Sequence, residues 1–126
     1  MAETRIKPIS IDPVWDRITS EANEAVAREP LMGGLIHACV LHHKSLERAL
    51  SYRISAKLSS NEMSMLVLRE VAEEAYAADP SLVEAARADL MAVLERDPAT
   101  HRLLQPILYY KGFQAMQAYR VAHWLW

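Results

Sequence analysis

Four side chains of the types that bind metal ions lie between positions 37 and 43, namely His37, Cys39, His42 and His43. Their spacing argues against a metal site, because His37 lies five residues from His42 and six from His43, whereas two ligands on one helix face are four residues apart. No second cluster supplies the missing ligands, and Cys39 has no clear neighbouring base that would make it a nucleophile. We interpret the group as polar histidines at a helix end beside a small buried cysteine; a metal or haem site is the weaker alternative.

The carboxylates of Glu70, Glu73 and Glu74 are candidates for acid–base work. Glu70 and Glu74 are i, i+4 neighbours, but so are Arg69 and Glu73, and a solvated helix face with one ion pair explains the pattern without catalysis. The sequence contains no glycine-rich phosphate loop, nucleophile elbow or HExxH zinc motif. We therefore predict no catalytic, cofactor-binding or metal-binding residue in this segment.

Asp97 is the carboxylate whose role the spacing leaves open. It precedes a proline, as Asp12 and Asp79 also do, and an aspartate at that place is typical of a helix N-cap. A carboxylate at a helix start near a subunit edge could instead pair with the ammonium group of a ligand. Nothing in the neighbouring residues decides between the two roles.

The elements that position these side chains are predicted to be helices. Alanine occurs 19 times and leucine 15 times against three glycines, which favours helix over sheet. Prolines 13, 30, 80 and 98 each follow an acidic residue and indicate helix starts. The apolar spacing then predicts seven helices. The first four cover 13–28, 30 to about 42, about 45 to 59–61 and about 62–77. The fifth starts after 79, a short sixth follows 97, and the seventh starts at 106.

These segments predict an all-α fold, a compact bundle of about seven helices. The stripe Leu46, Leu50, Ile54 and Leu58 is expected to face the core. The Gly33-Gly34 pair indicates either close backbone packing or an irregular turn. Residues 1–11 are expected to be a flexible tail, and 12–126 one domain.

Composition excludes several classes of function. Net charge is −2 and pI is near 6.2, so the chain has no electrostatic attraction for nucleic acid or anionic membranes. The aromatic residues Tyr109, Tyr110 and Phe113 could stack on nucleic-acid bases, but the basic groove that accompanies such a surface is missing. A single cysteine cannot form an internal disulfide. No apolar signal core and no run of ~20 apolar residues is present. We therefore expect a cytoplasmic protein.

The last residues, from Tyr119 to Trp126, end on an aromatic side chain without a capping glycine or a polar tail. Two tryptophans at a terminus need a surface to pack on. We expect that a longer natural chain has been cut at this point. The alternative is a final helix folded back onto its own bundle.

Several strings together resemble one family, the serine acetyltransferases of bacteria. They are Ala49-Leu50-Ser51-Tyr52 with Lys57-Leu58-Ser59-Ser60, Arg69-Glu70-Val71 continuing to Glu74-Ala75-Tyr76-Ala77-Ala78-Asp79-Pro80, Arg96-Asp97-Pro98-Ala99, Tyr110-Lys111-Gly112-Phe113 through Arg120, and His123-Trp124-Leu125-Trp126. The resemblance covers about Asp12 to Trp126 and is to the N-terminal helical domain.

The resemblance implies a function for the whole enzyme. Family members transfer acetyl from acetyl-CoA to the hydroxyl of L-serine, for cysteine synthesis, and are inhibited by L-cysteine. A left-handed parallel β-helix domain follows the helical domain, trimerises, binds acetyl-CoA and supplies the catalytic histidine. The helical domains join two trimers into a hexamer, and the extreme C-terminus docks into the sulfhydrylase of the next step.

The sequence lacks the β-helix repeats, so the resemblance places no catalytic histidine, acetyl-CoA site or docking tail here. It does place one ligand residue: Asp97, as the aspartate that contacts bound serine or cysteine. We expect this polypeptide alone to be inactive and to self-associate through apolar helix faces. The rival hypothesis is a stand-alone helical self-association module.

Overall fold

Helices form most of the chain in the computed structural model, which describes residues 12–126. They are α1 (Pro13–Arg28), α2 (Gly33–Ile36), α3 (Leu46–Leu58), α4 (Met65–Ala78), α5 (Ser81–Arg96), α6 (Leu104–Tyr109) and α7 (Lys111–Trp124). Within the described residues there is no strand, and the predicted all-α class is confirmed. No helix of this part of the chain is long and apolar enough to cross a membrane. The tail expected over 1–11 lies outside the described residues.

The predicted second helix is irregular. It consists of a 3₁₀ turn, the short α2 and a π turn, over Pro30–Met32, Gly33–Ile36 and His37–Leu41. The backbone N–H of His42 donates to the carbonyl of His37 at 2.8 Å, which is the wider spacing of a π turn. A Cβ on Gly34 would meet nothing within 4 Å, and on Gly33 only Val26 at 3.8 Å. The two glycines therefore lie in an irregularly wound segment, and not at a close contact between backbones.

Serine side chains set the starts of α3 and α4. Ser45 Oγ accepts from the backbone N–H of Arg48 at 3.3 Å, and Ser64 Oγ accepts from that of Leu66 at 3.1 Å. The fourth helix was predicted to start near Glu62, but Ser60 Oγ instead accepts from the N–H of Glu62 at 3.2 Å in a preceding turn. Because Ser64 satisfies the first free amides, α4 begins at Met65.

Proline marks helix starts at three of the four predicted places. Pro13 begins α1, Pro30 begins the 3₁₀ turn, and Pro80 is the N-cap of α5. The prediction was wrong at Pro98, where a tight turn forms and no helix starts until Leu104. The last helix was also misplaced, because the proline at 106 lies inside α6 and α7 begins only at Lys111.

The core is formed by apolar side chains from every long helix. Those with no more than 2% exposure include Ile18 of α1, Leu50 of α3, Leu90 of α5 and Ile107 of α6. Leu58 was predicted to face this core but is 53% exposed, because it is the last residue of α3 and borders an open groove against α7. One continuous core therefore sets the relative positions of α5, α6 and α7.

Arg53 of α3 holds the C-terminal end of α6. Its Nε donates to the carbonyl of Ile107 at 3.3 Å and its Nη2 to that of Leu108 at 2.6 Å. Gln114 of α7 donates through Nε2 to the same Ile107 carbonyl at 2.8 Å. These donors satisfy carbonyls left free at the helix end and place a positive charge beside them. The junction between α6 and α7, at Tyr110, is thereby fixed to the bundle.

Asp12 joins two distant helices, and this contact generates a prediction about pH. Its Oδ1 caps α1 by accepting from the N–H of Trp15 at 3.0 Å, and its Oδ2 accepts from Arg87 Nη2 of α5 at 2.6 Å. Burial raises the pKa of Asp12, but the hydrogen bonds from Arg87 and Trp15 and the charge of Arg87 outweigh it, so the pKa lies below 3.8.

We predict that Asp12→Asn keeps the cap but lowers the free energy of unfolding at pH 7 by about 1 kcal/mol, because the charge is lost. A lowered folded pKa stabilises the protein above the unfolded pKa, and this contribution disappears as the pH falls through the folded pKa. Urea unfolding between pH 7 and 3 should therefore show a weaker pH dependence in the variant. Glu73→Gln, in an exposed pair with Arg69, is the control and should change stability by less than about 0.5 kcal/mol. Equal pH slopes in Asp12→Asn and wild type would contradict the prediction.

Candidate functional site

Asp97 ends α5 and begins a tight turn. Its backbone N–H donates to the Val93 carbonyl at 2.9 Å, as in the last turn of a helix. Its carbonyl accepts from the N–H of Thr100 at 3.0 Å, the i to i+3 bond of a β-turn. Aspartate and proline are favoured at the first two positions of such a turn. This local chemistry is why the chain turns after α5 and does not start another helix.

The carboxylate of Asp97 is held by two donors of its own turn. Oδ1 accepts from the N–H of Ala99 at 2.9 Å, and Oδ2 accepts from Thr100 Oγ1 at 2.9 Å. Asp97 therefore caps a turn, and the expectation that it caps the start of a helix was wrong. Thr100 is only 3% exposed, and its Oγ1 lies 2.5 Å from the hydroxyl of Tyr110. Tyr110 thus connects the turn to the start of α7.

Asp97 borders an open groove between α5 and α7. The groove has a volume of about 660 Å³. Its lining comes from the C-terminal half of α5, the turn and the N-terminal half of α7: Asp89, Ala92, Val93, Arg96, Asp97, Pro98, Tyr110, Lys111, Gly112, Phe113 and Met116. Asp97 is partly exposed, so its carboxylate is at an edge of the bundle that another molecule or domain can reach.

The two carboxylates of this groove differ in their partners. Asp89 Oδ2 accepts from Gln117 Nε2 at 2.8 Å and forms an ion pair with Arg120. Burial raises the pKa of Asp89, but the hydrogen bonds from Arg120 and Gln117 outweigh it and lower the pKa. Within residues 12–126, by contrast, no arginine, lysine or histidine nitrogen lies within ion-pair distance of the Asp97 carboxylate. The donors to Asp97 in the described residues are therefore the uncharged groups of its own turn.

The histidine and cysteine group does not converge on one point. His43 Nε2 lies 2.8 Å from the Ala38 carbonyl, and its ring packs on Tyr52 with centroids 5.1 Å apart. Cys39 is buried, and burial raises the pKa of its thiol, which disfavours the reactive thiolate. His37 is exposed. In the described part of the chain, no three histidine, cysteine or acidic side chains are placed to hold a metal ion.

The remaining candidates lie away from the groove or only line it. Arg69 and Glu73 form the predicted i, i+4 ion pair at 3.7 Å on a largely exposed face of α4. Tyr109 is exposed beside a different groove of about 430 Å³. Tyr110 and Phe113 line the Asp97 groove but do not form a stacked pair.

Sequence reasoning did not predict that Thr100 and Tyr110 form hydrogen bonds at the Asp97 turn. A hydroxyl residue three positions after Asp97 is a local signal for a capped turn, and it was available beside the proline. Tyr110 has no such signal, because its contact with Thr100 depends on how α6 returns the chain to the turn.

Comparison with known proteins finds relatives that match most of this chain. A family model described as the N-terminal region of serine acetyltransferase matches residues 14–118. The serine acetyltransferase of Escherichia coli strain K12 is 47% identical over 116 residues, which cover 92% of this chain and 42% of that protein.

Solved structures agree. The serine acetyltransferase of Brucella abortus strain S19, in complex with coenzyme A, has a TM-score of 0.86 and 40% identity over 91% of this chain and 46% of that one. That of Neisseria gonorrhoeae, in complex with serine, has a TM-score of 0.86 and 38% identity over 95% and 50% of the two chains.

This chain spans half or less of the length of these relatives. Because the family model and the relatives cover most of it with the same helical fold, the resemblance noted in the sequence is confirmed, and the chain belongs to the serine acetyltransferase family, in which it corresponds to the N-terminal helical region.

Proposed function

We propose that this chain is the helical part of a cytoplasmic serine O-acetyltransferase, an enzyme that transfers acetyl from acetyl-CoA to L-serine for cysteine synthesis. Support comes from relatives that were solved with coenzyme A and with serine and that share 40% and 38% of its residues. In this proposal 12–126 is one domain, and it contributes a binding residue and an assembly surface. No cofactor binds to the segment.

Asp97 is proposed to bind the α-ammonium of L-serine, or of L-cysteine as inhibitor. The observation that carries this role is a carboxylate held in a fixed turn, at an open groove, without a cation of its own in the described residues. A carboxylate has about four acceptor sites, and the turn occupies two. The others can accept N–H bonds from an ammonium group, and such charge-assisted bonds are stronger than neutral ones.

The chemical step requires groups that are not in this groove. Attack by the serine hydroxyl on a thioester needs a general base to take the hydroxyl proton, and no histidine lines the groove. We assign that base, a histidine, and the acetyl-CoA site to a β-helix domain beyond this segment. Asp97 then holds and orients serine, which lowers the entropic cost of reaching the reactive geometry.

Assembly is the second proposed role. Large apolar side chains are exposed at several places in the described residues, among them Leu31 at 101%, Leu66 at 60% and Tyr119 at 64%. Exposed groups of this kind favour contact with a second copy, so we propose that the domain self-associates and joins two trimers into a hexamer. Docking to the sulfhydrylase is assigned to the C-terminal tail of the enzyme and not to these helices.

The rival hypothesis, a helical module whose only work is self-association, is supported by the same exposed side chains. It predicts that Asp97 does no more than cap its turn. The two hypotheses are separated by substitution of this carboxylate.

We predict that Asp97→Asn, in the enzyme that contains this domain and the β-helix domain, raises the KM for serine and the inhibition constant of cysteine by about 10- to 100-fold, because a charge-assisted bond is lost. Steady-state kinetics measures both constants. Asp79→Asn is the matched control: Asp79 also precedes a proline and accepts from a backbone N–H two residues on, that of Ser81 at 3.0 Å at the start of α5, but it does not line the groove. A change in melting temperature alone would assign Asp97 a purely structural role.

The purified 126-residue chain is predicted to transfer no acetyl group, because no histidine lines the groove and the acetyl-CoA site is assigned to the β-helix domain. The measurement is release of free coenzyme A from acetyl-CoA in the presence of L-serine, with the two-domain enzyme as the positive control. Serine-dependent release above the rate without protein would show that the described groove is itself a complete active site.

Self-association of the chain is predicted to be driven by apolar contacts. Static light scattering over a wide concentration range should therefore give a mass above that of the 14.3 kDa monomer. Raising the salt concentration should not dissociate the assembly, since screening weakens charge pairs and not apolar burial. A monomer at every concentration tested would contradict an assembly role.

A further inference from the structure

The hydroxyls of Thr100 and Tyr110 form a hydrogen-bonded chain that ends on the Asp97 carboxylate. Thr100 Oγ1 lies 2.9 Å from Asp97 Oδ2 and 2.5 Å from the hydroxyl oxygen of Tyr110. An ionised carboxylate only accepts, and a threonine hydroxyl has one proton to donate. Thr100 must therefore donate to Asp97, and Tyr110 must donate to Thr100.

Burial makes this chain of bonds stronger than an exposed one. Thr100 is 3% exposed, so water does not compete for its hydroxyl, and donation from Tyr110 polarises the bond that Thr100 makes to Asp97. Removal of the Thr100 hydroxyl leaves Oδ2 of Asp97 without its partner from the turn. Ala99 then holds the carboxylate through Oδ1 alone.

The far end of the chain of bonds is anchored to the bundle. The backbone N–H of Tyr110 donates to the Pro106 carbonyl at 3.2 Å, and its own carbonyl accepts from the N–H of Gln114 at 3.1 Å. The end of α6 is held in turn by Arg53. The orientation of the Asp97 carboxylate therefore depends on the α6–α7 junction as well as on its own turn.

We propose that Thr100 and Tyr110 are positioning residues for substrate binding, a statement that depends on the proposed role of Asp97. One bond on each oxygen sets the plane of the carboxylate and leaves the remaining acceptor sites for the ligand ammonium. Serine and cysteine share that ammonium and differ at the γ-atom, which is oxygen in serine and sulfur in cysteine. The positioning therefore affects the binding of both to the same degree and leaves the KM for acetyl-CoA unchanged.

The test compares Thr100→Val, Tyr110→Phe and Thr100→Ser in the two-domain enzyme. Thr100→Val keeps the shape and removes the hydroxyl, and we expect the KM for serine and the inhibition constant of cysteine to rise in parallel by about 3- to 10-fold. Tyr110→Phe should give a smaller rise in both, and Thr100→Ser should restore wild-type values. Because the two hydroxyls act in series, the double variant Thr100→Val/Tyr110→Phe should be no worse than Thr100→Val alone.

Thr19→Val is the matched control, because the Thr19 hydroxyl also makes one bond, to the Asp16 carbonyl at 2.9 Å, but lies on α1 outside the groove. A merely structural role would move melting temperature and the KM for acetyl-CoA without a selective effect on the two amino acids, and that result would overturn the proposal. If Thr100→Val fails to fold, Tyr110→Phe decides: unchanged constants for serine and cysteine contradict the chain of bonds.

The outcomes separate this inference from the proposed function. Unchanged constants in Asp97→Asn would remove the binding role of Asp97 and the positioning role with it. A large effect in Asp97→Asn together with none in Thr100→Val and Tyr110→Phe would leave the binding role intact and overturn the positioning role alone.

Discussion

Satisfaction of the backbone amides between α5 and α6 is the constraint on which the site depends. This connection contains no helix, so its N–H groups need other acceptors. Asp97 accepts from Ala99, Gln105 Oε1 accepts from His101 at 3.0 Å, and Glu21 of α1 accepts from Leu103 at 3.0 Å. With these bonds made, a connection that would otherwise be mobile holds a carboxylate in one place.

Two aspartates, Asp89 and Asp97, line the same groove but have different bonding partners. Asp89, in the middle of α5, is ion-paired with Arg120 and accepts a hydrogen bond from the buried Gln117, and these contacts join α5 to α7. Asp97, at the end of α5, has only uncharged donors among the described residues. A carboxylate paired with a cation joins two helices, whereas one bound only by neutral donors keeps a net negative charge, as the proposed ligand role of Asp97 requires. The division follows from position along α5, since only the middle of the helix faces Arg120.

In the proposed function, the domain supplies one part of a binding site, and the groups that make or break a bond are assigned to the β-helix domain. A carboxylate at an open groove can bind and orient an ammonium group, but proton abstraction and thioester binding need further residues. That division agrees with a chain that spans half or less of its relatives, whose matched helical region has the same fold. The exposed apolar side chains are in keeping with a domain that works against other polypeptide surfaces.

Periodicity, composition and the motif strings were enough to predict the helical class, the bounds of α1, the start of α3 near Ser45 and the family. These are local properties, because helix propensity and capping depend on residues within one turn of each other. The strings singled out Asp97 as a ligand residue, whereas the Asp-Pro pair predicted that it begins a helix; that part was wrong, since an Asp-Pro pair begins helices and turns alike. Thr100 completes the turn by donating to Asp97, and it buries its hydroxyl against Tyr110, ten residues away in the sequence. The open groove, the pairing of Asp89 with α7 and the bond chain to Asp97 arise from how α5, α6 and α7 pack, and such long-range contacts leave no pattern in the local sequence.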